Sequence, residues 1–598
     1  MELLGRGSLF LALALAAYAA VAGFRGGVTR DRRVVASAER ALVACFAATA
    51  VAAGVLWWAF LHQDYRFALV ARFSSSDLDW PYRLSAFWAS QPGSLLLWLL
   101  ILTGYAALVV RANRGRHREL APWVTGILGS IAAFFGLALV VAASPFDTLR
   151  SVPVEGAGLV PSLQNPYMMA HPPLLYLGYV GFAVPFAFAM AALFAGQTDE
   201  RWVVAVRRWT IVPWAFLGVG MLLGAHWAYE EIGWGGFWGW DAVENAALIP
   251  WLVATGLLHS IIVQEKKGML KVWNVSLVSL TFGLSILGTF ITRSGILSSV
   301  HSFVFSGVGW WLLVFLALLT AFATVMILAH LPLLRARHRI ESVISREATF
   351  LFNNLLFVAF AFAVLWGVLF PLLSRAVRGD EVLVSSPFYD FFATVFGLPI
   401  LFLAGVGPVI AWRRSSVRSA LRPFLWPFAA AFAAAVLLFL RGYGTSVPGV
   451  VALSLCLFVA VTVVLEFVRG TRARRALTPG LGWPRAFAQL VARNRRRYGG
   501  YIVHLAVVVG VVAIVGTMAY ATTVDARLRQ GQSVRVGDYT LTYRGSRAVE
   551  RPSWAGTQAL LDVRRGGQAI GTLRPQKGIS FPSNEPSNEV AIRPNLRN

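Results

Sequence analysis

Residues 224–251 read GAHWAYEEIGWGGFWGWDAVENAALIPW, and a long apolar run flanks them on each side. The stretch holds Trp227, Trp234, Trp238, Trp240 and Trp251, with Glu230, Glu231, Asp241 and Glu244 among them. Flanking spans place it at a membrane edge, where a single indole is ordinary because Trp favours the headgroup boundary. Five indoles spaced by glycines point instead to a flat aromatic platform. Such a platform suits a large planar ligand, of which a porphyrin is one; spacing alone does not name it.

Working outward, the rest of the chain is membrane-like. Of 598 residues 57% are hydrophobic and 14% charged, and mean hydropathy is +0.64. Spans of roughly 20 apolar residues recur along it. About fourteen are expected by that length criterion, near 8–24, 38–60, 94–110, 121–143, 173–196, 209–226, 246–264, 274–291, 308–331, 349–373, 392–412, 423–440, 449–468 and 500–520. The first run is followed at once by a second, which reads as a retained span and not a cleaved leader. Residues 521–598 change character, with period-2 alternation in SVRVGDYTLTYRG and TQALLDVRRGGQAIGTLRP. That alternation, with its glycine turns, predicts a small β-rich domain. The expected fold is therefore an all-α polytopic membrane protein of about fourteen transmembrane helices. A helical bundle spans 1–520, with the Trp-rich loop at 227–251, and a β-rich extracytoplasmic domain spans 521–598.

The net charge of +25 is not a nucleic-acid footprint, because the arginines cluster in alternate loops. Arg30, Arg32 and Arg33; Arg114, Arg116 and Arg118; Lys266 and Lys267; Arg335, Arg337 and Arg339; Arg413 and Arg414; and Arg493 to Arg497 all fall on one side. By the positive-inside rule that side is cytoplasmic. The Trp-rich loop and 521–598 then face outward. The two cysteines, Cys45 and Cys456, lie inside apolar runs. They provide no disulfide framework, no CxxC redox pair and no haem-attachment motif.

Four of the nine histidines are singled out by position. His171, in AHPP, and His301, in SSVHSF, flank the Trp-rich loop at one depth. His259 and His504 lie within the seventh and fourteenth spans, at similar depth on different helices. Ionisable residues in hydrocarbon are functional hypotheses by default, and two imidazoles at matching depth suit bis-His ligation of a b-type haem. The alternative for His259 and His504 is a hydrogen-bond partner for a neighbouring helix; for His171 and His301 it is an interfacial histidine in a loop. His226 reads as packing, a bond to a carboxylate, or a ligand, with packing favoured. Asp241, three residues ahead of Glu244, reads first as the start of a capping box. Arg293, at the end of the eighth span, offers a guanidinium that matches a carboxylate bidentately, and haem propionates are carboxylates.

The stretch WGGFWGWDAVENAALIPW closely resembles the "WWD" signature of haem-handling proteins of cytochrome c maturation. The order and topology of the four histidines are similar to the CcmF family of haem lyase subunits, as are PSLQNPYMMAHPPLLYLGY, FLGVGMLLGAHWAYEE, ILGTFITRSGILSSVHSF and RRRYGGYIVHL. The related CcmC carries the loop in a far shorter chain. Carried over, the resemblance implies an outer pair, His171 and His301, serving the substrate haem. It implies an intramembrane pair, His259 and His504, as axial ligands of a haem b. Trp234, Trp238, Trp240, Trp251, Asp241 and Arg293 would complete the cofactor-binding set. The family usually has Pro where this chain has Ala242, often has Trp at His226, and carries a further span beyond the outer domain. The implied function is attachment of haem through thioethers to the CxxCH cysteines of apocytochrome c, on the outer face of a bacterial cytoplasmic membrane. Apocytochrome c, a CcmE-like haem chaperone, CcmH- or CcmI-like subunits, quinol and membrane lipid are the implied partners, with no nucleic acid. A haem transporter and a haem b quinol oxidoreductase without lyase activity are the rival readings.

Overall fold

Long apolar runs with good helix formers and few interior charges leave the backbone only itself to bond within a bilayer, so they fold as helices. A computed structural model describes residues 1–233, 236–297, 307–335, 345–410, 421–551, 554–581 and 585–593. Among them fourteen helices are long and apolar enough to cross a membrane, the number expected from the apolar runs. The helices are α1 (Glu2–Thr29), α2 (Arg32–Leu61), α3 (Ala68–Phe73), α4 (Trp80–Ala89), α5 (Gln91–Ala112), α6 (Ala121–Val141), α7 (Pro166–Gly181), α8 (Ala183–Phe194) and α9 (Glu200–Glu231). They continue with α10 (Ala242–Lys267), α11 (Lys271–Ser294), α12 (Val308–Ala329), α13 (Arg346–Arg378), α14 (Ser386–Val406), α15 (Leu425–Leu440), α16 (Val447–Ala476), α17 (Trp483–Arg493) and α18 (Arg495–Ala519). α7 and α8 make up one crossing, while α3, α4 and α17 are short. Polar side chains start many of these helices, as orphan amides require. Asp31 accepts from Arg33 N at 2.8 Å, Ser90 from Gly93 N at 3.1 Å, and Ser345 from Ala348 N at 3.2 Å.

The chain divides into two compact units. One comprises Met1–Trp234, Trp238–Ala336 and Thr523–Asn598; the other comprises Gly235–Phe237 and Arg337–Thr522. In the first, Trp98 of α5 stacks on Phe135 of α6 at 3.7 Å between ring centroids, and Phe186 of α8 meets Phe282 of α11 at 5.3 Å. In the second, Phe458 of α16 is fully buried and gathers Phe402 (5.7 Å), Phe424 (5.9 Å) and Phe428 (4.9 Å).

The alternating C-terminal stretch forms one antiparallel sheet of six strands. These are β1 (Ser533–Val536), β2 (Tyr539–Arg551), β3 (Trp554–Arg565), β4 (Gln568–Leu573), β5 (Gln576–Ser580) and β6 (Glu585–Glu589). The order is β1-β2-β3-β5-β6, with β4 also paired to β3. Trp554 is fully buried. Its ring lies over two strand glycines, where a Cβ on Gly556 or Gly578 would stand 2.6 or 2.5 Å from the indole.

Two boundaries differ from the sequence expectation in ways that matter for the site. The fifth span begins at Pro166 and so takes in His171, and the sixth runs to Glu231. The first part of the Trp-rich stretch is therefore the end of α9. Between α2 and α5, and again between α6 and α7, the chain is fastened by Glu155. Its carboxylate accepts from Tyr65 OH at 2.7 Å, Ser76 N at 2.9 Å and Gly156 N at 2.8 Å. Bonds from Ser76 and Tyr65 hold the Glu155 carboxyl down at about 2. Burial, and then that same carboxylate, push the Tyr65 phenol up to about 12.

Candidate functional site

α7 and α9 pack through small residues that let their backbones approach closely. On α7, Gly178 lies against Leu217 and Gly181 against Pro213; on α9, Gly220 lies against Leu175 and Gly224 against His171. A Cβ on Gly178 would stand 2.5 Å from Leu217, and one on Gly224 would run into the imidazole. The close seam brings His171 Nδ1 to 2.7 Å from the Gly220 carbonyl on the other helix. A carbonyl only accepts, so in the neutral ring the proton sits on Nδ1. That is the tautomer an iron ligand needs. Pro172 and Pro173 follow directly inside α7, so this turn lacks two backbone donors.

Below His171 in sequence, Asn165 starts α7. Its Oδ1 accepts from Tyr167 N at 2.8 Å, while Nδ2 donates to Glu230 and Glu231 at 2.9 Å each. Glu230 also receives His226 Nε2 at 3.2 Å, one helical turn away, and the His226 ring lies 4.1 Å from that of Tyr167. His226 thus makes both the favoured packing contact and the carboxylate contact. Trp227 Nε1 donates to Ser162 O at 2.7 Å. Tyr82 of α4 joins this acidic end: burial raises its phenol, and the charges of Asp79 and Glu231 raise it further.

The next segment turns into α10. Asp241 accepts from Val243 N at 3.1 Å, and Glu244 reaches back to Asp241 N at 3.1 Å and Gly239 N at 3.0 Å. This is the expected capping box. Trp240, just before it, has φ of +55°, a left-handed conformation uncommon for a bulky residue. Asn245 holds it by donating to Trp240 O at 2.9 Å. The rings of Trp238 and Trp240 are 5.8 Å apart and cross at 85°. The expected flat platform is corrected here: the left-handed turn at Trp240 sets the two indoles edge to face. Trp251 is not in the loop but in α10, stacked on Trp214 of α9 at 5.4 Å and 16°. Trp234 and His301 lie outside the described residues.

Arg293, at the end of α11, is 1% exposed. It donates to Ser94 Oγ at 2.7 Å, Gln91 O at 3.3 Å and Tyr176 OH at 3.0 Å. Gln91 Nε2 returns a bond to Arg293 O at 2.7 Å. The guanidinium therefore ties α11 to α5 and α7, a structural duty its sequence position did not reveal.

Within α10, His259 Nδ1 bonds the Thr255 carbonyl at 2.8 Å, which again puts the proton of the neutral ring on Nδ1. The chemistry of this donor fits a haem ligand. His62 and His330 make the same i−4 bond, so the bond alone is a helix habit; His171 stands apart because its carbonyl belongs to a second helix. His504 is half-buried on α18, in the other unit. Asn165, Tyr167, Trp214 and Gly224 were missed by sequence reasoning. The Asn-Pro step opening α7 and the glycines on α9 were the available signals.

Comparison with known proteins places these features. Residues 88–298 match the family model described as cytochrome C assembly protein, and residues 519–598 match the CcmF C-terminal beta-sandwich. The chain is 36% identical to the cytochrome c-type biogenesis protein CcmF of Pseudomonas aeruginosa, over 96% of this chain and 86% of that one. It is 34% identical to the CcmF of Escherichia coli, over 99% and 89%. A solved structure titled cytochrome c haem lyase CcmF superposes with a TM-score of 0.80 at 32% identity, covering 99% of this chain and 90% of that one.

Proposed function

Since the chain belongs to the CcmF family of cytochrome c-type biogenesis proteins, we propose that it is a haem lyase that joins haem to apocytochrome c by thioether bonds. The observation that supports this reading is the His171 imidazole, held through Nδ1 by the Gly220 carbonyl, on the helix pair that leads into the Trp-rich segment. In each bond-forming event a substrate thiol adds across a haem vinyl group. The S–H bond and the vinyl π bond break, and C–S and C–H bonds form, with no net redox change. What the protein supplies is placement, a large term for a reaction between two held partners. His171 and His301 hold the substrate iron. Trp238 and Trp240, with Trp234, would meet the macrocycle, Asp241 fixing their turn, while Trp251, stacked on Trp214, and Arg293, tied to α5 and α7, would brace the helices that carry them. The chain's own thiols take no part: Cys45 and Cys456 are buried in spans.

His259 and His504 are proposed as the residues that would hold a haem b, a reading that rests on their matching depth in the sequence. Such a haem would supply an electron, drawn from quinol, to keep the substrate iron ferrous. The arginine-rich ends face the cytoplasm of a bacterial inner membrane in this proposal, and the Trp-rich end meets apocytochrome c, a CcmE-like chaperone and CcmH- or CcmI-like subunits. The redox arm is tested by the dithionite-reduced visible spectrum of the purified protein beside His259→Ala and His504→Ala. A low-spin b-type spectrum lost in either variant is expected. A spectrum unchanged in both variants overturns the ligand assignment, and its absence from folded wild type removes the redox arm.

A further inference from the structure

From Phe467 to Val524 the sequence contains no carboxylate, yet nine arginines lie between Arg469 and Arg497. This stretch is the end of α16, the short helix α17 and the start of α18. α17 is amphipathic and lies between two spans. Ala486 and Leu490 are buried, Leu490 in the same core cluster as Tyr498 of α18. Arg485, Gln489 and Arg493, at i, i+4 and i+8, form an exposed stripe on one side of that buried seam. On its other side Trp483 and Phe487 are each 44% exposed.

Few of these arginines meet a carboxylate among the described residues. Glu466 is taken by Arg469 at 3.3 Å and Arg497 at 2.5 Å. Arg474 donates to the neutral Gln489 Oε1 at 3.0 and 3.2 Å. Arg475 donates to Leu481 O at 3.0 Å and lies over the Trp483 ring at 5.0 Å. Among the described residues no carboxylate pairs with Arg472, Arg474, Arg475, Arg485, Arg493 or Arg495. A short helix with exposed aromatics beside an arginine stripe, tethered at both ends to spans, has the composition of an interfacial helix.

We propose that this arginine hairpin is a binding site for the phosphate headgroups of anionic phospholipids. Trp483 and Phe487 enter the boundary between headgroups and acyl chains, and Arg472, Arg485 and Arg493 meet the phosphates. The aromatics select a lipid over a free anion, because a soluble phosphate gains nothing from them. The site is independent of the haem chemistry.

Native mass spectrometry of the full chain, released from micelles with equal phosphatidylglycerol and phosphatidylcholine, tests this. Wild type should retain phosphatidylglycerol preferentially. Each arginine near an anionic headgroup is worth roughly a fivefold change in binding, so Arg472→Gln, Arg485→Gln and Arg493→Gln together should weaken that retention at least tenfold and leave phosphatidylcholine unaffected. Arg30→Gln with Arg33→Gln, on another basic loop, should retain it. Equal retention by the triple variant and wild type overturns the proposal. Displacement by inorganic phosphate also overturns it, by making the site one for free anions. Should the triple variant not fold, wild type decides alone: retention that does not fall as salt rises excludes a headgroup site.

Discussion

Gly224→Ala places one methyl group where the His171 ring now sits. The ring has two ways out: it rotates, or α7 and α9 separate. Either breaks the 2.7 Å bond from Nδ1 to Gly220 O, worth about 1 kcal/mol. Forcing an extra carbon into a packed seam costs a further 1–3 kcal/mol, roughly. Against this, Ala is favoured over Gly in a helix interior by about 0.5–1 kcal/mol. The net prediction is a loss of about 1–3 kcal/mol, together with a misplaced imidazole and a sharp fall in haem attachment. Gly54→Ala is the control, because a Cβ there has nothing within 4 Å; only the propensity term remains, and it should be neutral or slightly stabilising. Thermal denaturation in detergent and covalent haem on a reporter cytochrome read the two effects. A Gly224→Ala protein as stable and as active as wild type would refute the claim that the glycine exists to seat His171.

Tyr176→Phe removes one bond to the buried Arg293 guanidinium and should cost about 1.5–3 kcal/mol, the range for bonds to charged groups, seen as a lower melting temperature. Glu244→Ala removes the carboxylate that caps Gly239 N and Asp241 N; a loss of about 1–2 kcal/mol and a drop in haem attachment are expected, and Glu244→Gln should recover part of both. The Glu155 carboxyl is held at about 2, below its ordinary 4.5. Its stabilisation is therefore full above pH 4.5 and is lost as pH falls toward 2. Melting temperatures of Glu155→Gln across that window should show a flatter acid limb than wild type; parallel curves would count against the fastening role.

The crossings were legible because twenty apolar residues in a row leave few alternatives to a spanning helix. The Asp241–Glu244 box was legible from DAVE, since capping is local chemistry. The His226–Glu230 contact follows from i, i+4 spacing, though packing was the favoured reading. What the sequence hid is non-local. Arg293 meets Ser94, 199 positions earlier, and no periodicity announces that. Trp251 was grouped with the loop by proximity in sequence, yet its partner is Trp214 across a helix pair. The crossing angle of Trp238 and Trp240 depends on one left-handed residue, and Trp carries no composition signal for that conformation.

Covalent haem attachment is proposed to run through His171. Its most direct test is haem-stained denaturing electrophoresis of a CxxCH reporter cytochrome, expressed in cells whose own CcmF is deleted and replaced by this chain or by His171→Ala. A denaturation-resistant haem band is expected with the wild-type chain. No band is expected with His171→Ala, whose membranes should still show the b-type spectrum. A haem band of normal strength with His171→Ala would remove His171 from the attachment step.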